Sequence, residues 1–165
     1  MSAAQAQIDA LGSGIGATFY IETSGNGGAN AVGCGRNILQ PCATLDYVVS
    51  LLSTYNYLEP AIIQVGPGVF TSSSLVTLPC NVIVYGMEFG TTLVWNGGLT
   101  FNPSTAYAGR CYLFFEYLQA SGPITLSAVG SGISDFRVYY KNVSLINSGS
   151  LDIRGNGGFT QLILE

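Results

Sequence analysis

Pro60-Ala61-Ile62-Ile63-Gln64-Val65-Gly66-Pro67-Gly68-Val69-Phe70 sets the pattern that the rest of the chain repeats. An apolar run rich in β-branched residues is broken by Gly-Pro-Gly and resumes on Val69-Phe70. Such a run reads as a buried strand, a sharp corner and a second strand leaving in a new direction. The order recurs in Asn81-Val82-Ile83-Val84-Tyr85, which ends at Gly86, and in Tyr112-Leu113-Phe114-Phe115. It returns in Phe136-Arg137-Val138-Tyr139-Tyr140 and in Gln161-Leu162-Ile163-Leu164. Anchored on Ile62, Val82, Leu113, Phe136 and Leu162, the runs lie 20, 31, 23 and 26 residues apart. Periods of roughly 20–50 residues mark solenoids. The expectation is a parallel β-solenoid with one strand-turn-strand coil per repeat.

Between these anchors lie further faces. Leu75–Leu78 follows the Ser72-Ser73-Ser74 turn, and Thr92–Trp95 and Leu99–Phe101 flank Asn96-Gly97-Gly98. Ile124–Ser127, Val143–Ile146 and Leu151–Ile153 continue the series, the last leading into a turn at Gly155–Gly158. The longest interval holds Asn102–Arg110, read as a loop thrown out from the stack, where a solenoid carries specificity.

The 165 residues suit one domain with a real core, and they are 48% apolar but only 8% charged. An average soluble domain is about 25% charged, so Ser, Thr, Asn, Gln and Gly must keep this surface in water, or other subunits must cover it. Five basic and nine acidic residues leave a net charge of −4 with no basic stripe, which argues against nucleic-acid binding. No apolar run approaches the roughly 20 residues of a bilayer span, so no membrane insertion is expected. Residues 1–16 lack a basic n-region and a signal-peptide core. They read as a flexible N-terminal arm, ahead of a β-helix domain over 17–165.

Thr18–Glu22 reads as the first strand, followed by the glycine-rich loop Thr23–Asn30. This loop lacks the Gly-Lys-Ser/Thr ending and the immediate helix of a phosphate cradle, so a surface loop is the better reading. A helix is predicted over about 43–57. Thr44 suits its N-cap, Asp46 its positive end, and Leu45, Val48, Val49, Leu52 and Tyr55 form one apolar stripe before Pro60 stops it. An amphipathic helix ahead of a stack of coils has the job of capping the open end. Docking a partner helix is the alternative.

In order, these features are a strand at Thr18–Glu22, a Gly/Asn loop, Pro41-Cys42-Ala43-Thr44-Leu45 opening a helix, and Ile62–Phe70 with its Val-Gly-Pro-Gly-Val-Phe turn. This order resembles the start of pectin-lyase-like β-helix proteins, where a "Pro-x-x-Thr-Leu" helix opening and a "Val-x-Pro-Gly-x-Tyr/Phe" turn introduce the first coils. The likeness covers residues 18–70 by motif and 71–165 by rhythm alone. It implies an all-β fold, a right-handed single-stranded parallel β-helix with one N-terminal capping α-helix. The superfold hosts polysaccharide lyases and hydrolases as well as non-enzymatic spikes and fibres of phages and large viruses, so fold does not settle function.

Four cysteines stand at 34, 42, 80 and 111 without Cys-x-x-Cys spacing, and histidine is absent, so no zinc site and no cofactor are expected. Cys34 and Cys42 bracket the end of the first long loop and can staple it. Cys80 and Cys111 each precede a repeating strand and fall about 4.8 Å apart if the coils stack in register. That spacing admits a disulfide, but free Cys is also a favoured small buried residue, and buried thiols are the preferred reading. Asn142-Val143-Ser144 is a glycosylation sequon with no signal peptide to support it.

Without histidine the commonest general acid/base is gone. Glycoside hydrolysis needs two carboxylates flanking one bond, and the acidic residues here are scattered singly. Glu116, Asp135 and Arg137, if on adjacent rungs, are the best catalytic set available, against the plainer reading of an ion pair on a sheet face. Trp95, Tyr107, Tyr139 and Tyr140 are the candidates for stacking on sugar rings, against ordinary sheet packing.

The chain stops on the apolar Leu162-Ile163-Leu164 before Glu165, a strand edge that a continuing chain or other subunits would cover. Threefold association is common among the viral spikes that the chain resembles, and with no catalytic set evident that resemblance implies a non-enzymatic structural protein: a homotrimeric spike, fibre or surface component of a virion that attaches to a host glycan. A polysaccharide-active enzyme and a carbohydrate-binding module are the alternatives.

Overall fold

A computed structural model describes residues 18–52, 60–87, 90–147, 149–155 and 159–165. The expected arm over 1–16, the helix beyond residue 52 with Tyr55, and the turn at 156–158 lie outside the described residues.

The elements run β1 (Thr18–Ile21), α1 (Leu45–Leu52), β2 (Ala61–Val65), β3 (Gly68–Ser72), β4 (Val76–Pro79), β5 (Val82–Gly86) and β6 (Thr91–Trp95). They continue with β7 (Leu99–Asn102), β8 (Arg110–Ser121), β9 (Pro123–Ser127), β10 (Asp135–Leu145), β11 (Ser150–Arg154) and β12 (Phe159–Leu164). Every strand pairing among them is parallel. The result is a parallel β-solenoid of about four turns.

Each coil contributes to three faces rather than the two expected. The first face stacks β1-β2-β5-β8-β10-β12, and the third stacks β4-β7-β9-β11. The second is built from β3, β6 and the far ends of β8 and β10. β8 and β10 turn the corner between the first two faces without a break. The residues that bend them, Tyr117 and Asn142, are in equivalent positions and hold φ of 55° and 51°. A left-handed residue inside a strand kinks it and re-aims the chain. At the same corner of the first coil, Gly66-Pro67-Gly68 does the work.

Register explains the core. Ala61, Val82, Leu113, Val138 and Leu162 lie in one column across successive rungs. Two expected anchors were misaligned. Ile62 pairs with Ile83 rather than Val82, and Phe136 pairs with Cys111 rather than Leu113. The slip at Ile62 matters because one residue moves a side chain to the opposite face. Inward columns carry Ile63, Val84, Phe115 and Tyr140 on the first face, and Val76, Leu99 and Ile124 on the third, all buried. Each fully buried aliphatic or aromatic side chain stabilises by roughly 1.5–3 kcal/mol. The backbone groups of each inner rung are paired with the rungs on either side, which satisfies them without water.

Helix α1 buries Leu45, Val48, Val49 and Leu52 and packs against β4, β1 and β3. The Thr44 hydroxyl accepts from the Tyr47 N–H at 3.3 Å, and the Asn30 side chain accepts from Ala43 N and Thr44 N. The loop before α1 returns to the outer edge of β1. Tyr20 N donates to Gly35 O, Cys42 N to Tyr20 O, and Glu22 N to Cys42 O.

Cys34 and Cys42 are joined as a disulfide across this loop, with Cα atoms 5.0 Å apart. Cys80 and Cys111 form a second disulfide, Cα–Cα 4.9 Å. The preferred reading of this second pair as buried thiols is corrected: stacking places equivalent inward positions at bonding distance. The Asn102–Arg110 interval is only partly thrown out. Pro103–Thr105 forms a 3₁₀ turn whose Thr105 hydroxyl is buried and accepts from Cys80 N at 2.7 Å.

Candidate functional site

The outward side of the first face gathers most of the polar and aromatic residues that sequence reading singled out. Alternation along the strands puts Arg110, Tyr112, Phe114 and Glu116 of β8 on this side. Beside them in register lie Asp135, Arg137, Tyr139 and Lys141 of β10.

At one end of these rows, the Arg137 Nε donates to Asp135 Oδ1 at 2.9 Å and Nη2 donates to Oδ2 at 3.2 Å. The Tyr112 hydroxyl donates to the same Oδ2 at 2.7 Å, and the Arg137 guanidinium lies 5.5 Å from the Tyr112 ring centroid. These contacts set the electrostatics. The Arg137 hydrogen bonds hold the Asp135 carboxyl below the usual carboxylate range, helped by the Tyr112 hydroxyl. The hydrogen bond to Asp135 raises the Tyr112 phenol, with burial adding to it. Asp135 is thus a satisfied carboxylate, with its proton demand met by two donors.

Glu116 does not join this cluster. Asp135 is in register with Arg110, six residues before Glu116 on the same strand. At about 3.3 Å per residue, the two carboxylates are separated by roughly 20 Å. Paired glycosidase carboxylates stand about 5–9.5 Å apart. The expected set Glu116, Asp135 and Arg137 therefore falls into a cluster of two and a distant single residue. The period-2 alternation was legible; the offset between strands was not. Among the described residues no group of three or more His, Cys, Asp or Glu could hold a metal ion.

The aromatic candidates divide by face. Trp95 is 1% exposed and Tyr140 5% exposed, both pointing into the core, so neither offers a ring to a sugar. Trp95 meets Phe115 edge-on at 6.3 Å, and Tyr140 stacks on the same ring at 5.0 Å. Burial pushes the Tyr140 phenol up. Tyr107 stands on the 102–110 loop with 49% exposure. Tyr139 lies on the outer face, stacked on Phe114 at 4.3 Å with the rings 6° from parallel. Phe114 escaped sequence reading because its apolar character suggested a core position.

That stack belongs to a longer feature. Ile62, Ile83, Phe114, Tyr139 and Ile163 form one outward column through five rungs. All five side chains are half-buried. A shallow depression of about 180 Å³ beside it is lined by Phe114, Glu116, Tyr139, Lys141 and Ile163. Ligand pockets typically enclose about 300–1,000 Å³, so this is a surface more than a pocket.

The fold and this face define the chain as a parallel β-solenoid with an apolar outer column. No family model, curated protein or solved structure matches it.

Proposed function

We propose that the protein is a non-enzymatic structural β-helix, a homotrimeric spike, fibre or surface component of a virus or phage particle. In this reading the solenoid winds right-handedly, α1 caps its first coil, and exposed loops such as the one bearing Tyr107 meet a host glycan. The observation that carries it is the outward column from Ile62 to Ile163. The row packs rung on rung within one solenoid, and on a chain with 8% charged residues its outward half would also be covered between subunits. Support for the cap comes from the buried stripe of α1 and from the 35–42 loop, which occupies the outer edge of β1. The separation of Glu116 from Asp135 weighs against the lyase or hydrolase alternative.

Light scattering behind a sizing column tests the reading. A stable species near three times 17.3 kDa is expected. A monomer at all concentrations would overturn the trimer.

A further inference from the structure

Charged residues at the strand ends frame the apolar column in an alternating pattern. On β8, Arg110 and Glu116 mark the two ends of an outward row; on β10, Asp135 and Lys141 mark the ends of the next. Register sets Arg110 beside Asp135 and Glu116 beside Lys141. One vertical edge of the face therefore reads positive then negative, and the other reads negative at Glu116, positive at Lys141 and negative again at Glu165 on the next rung. Neither Arg110, Glu116 nor Lys141 closes an ion pair with a described residue. The substantial contacts of β5, β8 and β10 are with other strands of the stack.

We infer that this outer face is the contact between copies of the chain: parallel solenoids with coils level, Arg110 and Asp135 of one meeting Glu116 and Lys141 of the next. The inference rests on the oligomeric reading above and names its surface. The argument is charge complementarity. When the Arg110 edge of one copy meets the Glu116 edge of another at the same height, both rows place opposite charges together. A shift by one coil sets like charges opposite, which costs several kcal/mol. The pattern thus fixes height as well as partner. The apolar column fills the middle, and the Phe114–Tyr139 stack supplies the large flat rings that subunit contacts favour. With rows about 20 Å wide and six rungs at about 4.8 Å spacing, the face covers close to 500 Å². In a closed ring of three, each copy meets the next through unlike edges, and the three inward faces together would cover roughly 1,500 Å².

The test uses the full chain with Arg110→Glu, Glu116→Arg and the double variant, each checked for its β-sheet circular dichroism. Both residues are on the surface, so folding should survive. Each single variant should weaken self-association at least about tenfold, and the double variant should recover it. If the wild type associates and both single variants associate equally well, this face is not the contact, while the oligomeric reading stands. If the single variants dissociate and the double does not recover, the pairing of these edges is overturned. A wild-type monomer overturns both.

Discussion

Cys80 and Cys111 occupy the same inward position on successive coils, 31 residues apart in sequence and 4.9 Å apart at Cα. Their bridge spans one rung and closes a loop containing nearly the whole second coil. By loop-closure entropy such a link stabilises by about 3.7 kcal/mol, against about 2.5 kcal/mol for the 8-residue separation of Cys34 and Cys42. Replacing Cys80 and Cys111 together by Ala should lower denaturant stability more than the same change at Cys34 and Cys42. Equal losses, measured by urea unfolding, would mean that loop length does not govern them.

Gly122 turns the chain from β8 into β9 at φ 101°, and a Cβ there would run into the carbonyl of Trp95 on the neighbouring coil. Both backbone conformation and space therefore demand glycine. Gly122→Ala should cost about 2 kcal/mol or more. Gly25 is exposed, with only Thr23 Oγ1 near its Cβ position at 3.9 Å. Gly25→Ala should stay within about 0.5 kcal/mol of the wild type. Paired thermal melts decide it.

The single tryptophan is a reporter of the core. Trp95 is 1% exposed and packs edge-on to Phe115. Its emission should be blue-shifted, resist iodide quenching and stay unchanged when soluble oligosaccharides are added. Trp95→Ala should destabilise by about 3–5 kcal/mol through the cavity it leaves. Ready quenching in the folded protein would contradict the inward orientation.

Asp135 gives the outer face its acid sensitivity. Its folded-state carboxyl lies below the usual range, chiefly through Arg137. The folded chain therefore binds that proton less readily than the unfolded chain. Its stabilisation is fully present above the unfolded-chain value of about 3.9 and is lost as pH falls through the depressed folded value. Asp135→Asn should remove less than about 1 kcal/mol at pH 7. The difference between variant and wild type should shrink toward zero in strong acid. A difference that persists there, in urea titrations at stepped pH, would assign the effect to packing instead of charge.

The repeat rhythm was readable because β-branched runs broken by glycine carry their own period. Val82, Leu113 and Leu162 proved true column mates, whereas Ile62 and Phe136 did not. The difference is physical. In a strand with apolar residues on both sides, such as Ala61-Ile62-Ile63, alternation does not say which side faces in. The same ambiguity hid Phe114 on the outside and put Trp95 and Tyr140 forward as surface rings.

Sequence alone settled that the chain stacks parallel strands, that a helix opens near Thr44, and that charge is scarce. These follow from local patterns: apolar period, capping residues and composition. Only the tertiary structure decided the three faces of each coil, the bridge between Cys80 and Cys111, and the distance between Glu116 and Asp135. Those depend on how far one rung is offset from the next. Corner residues such as Tyr117 and Asn142 and the loop lengths between strands set that offset, and no single strand encodes it.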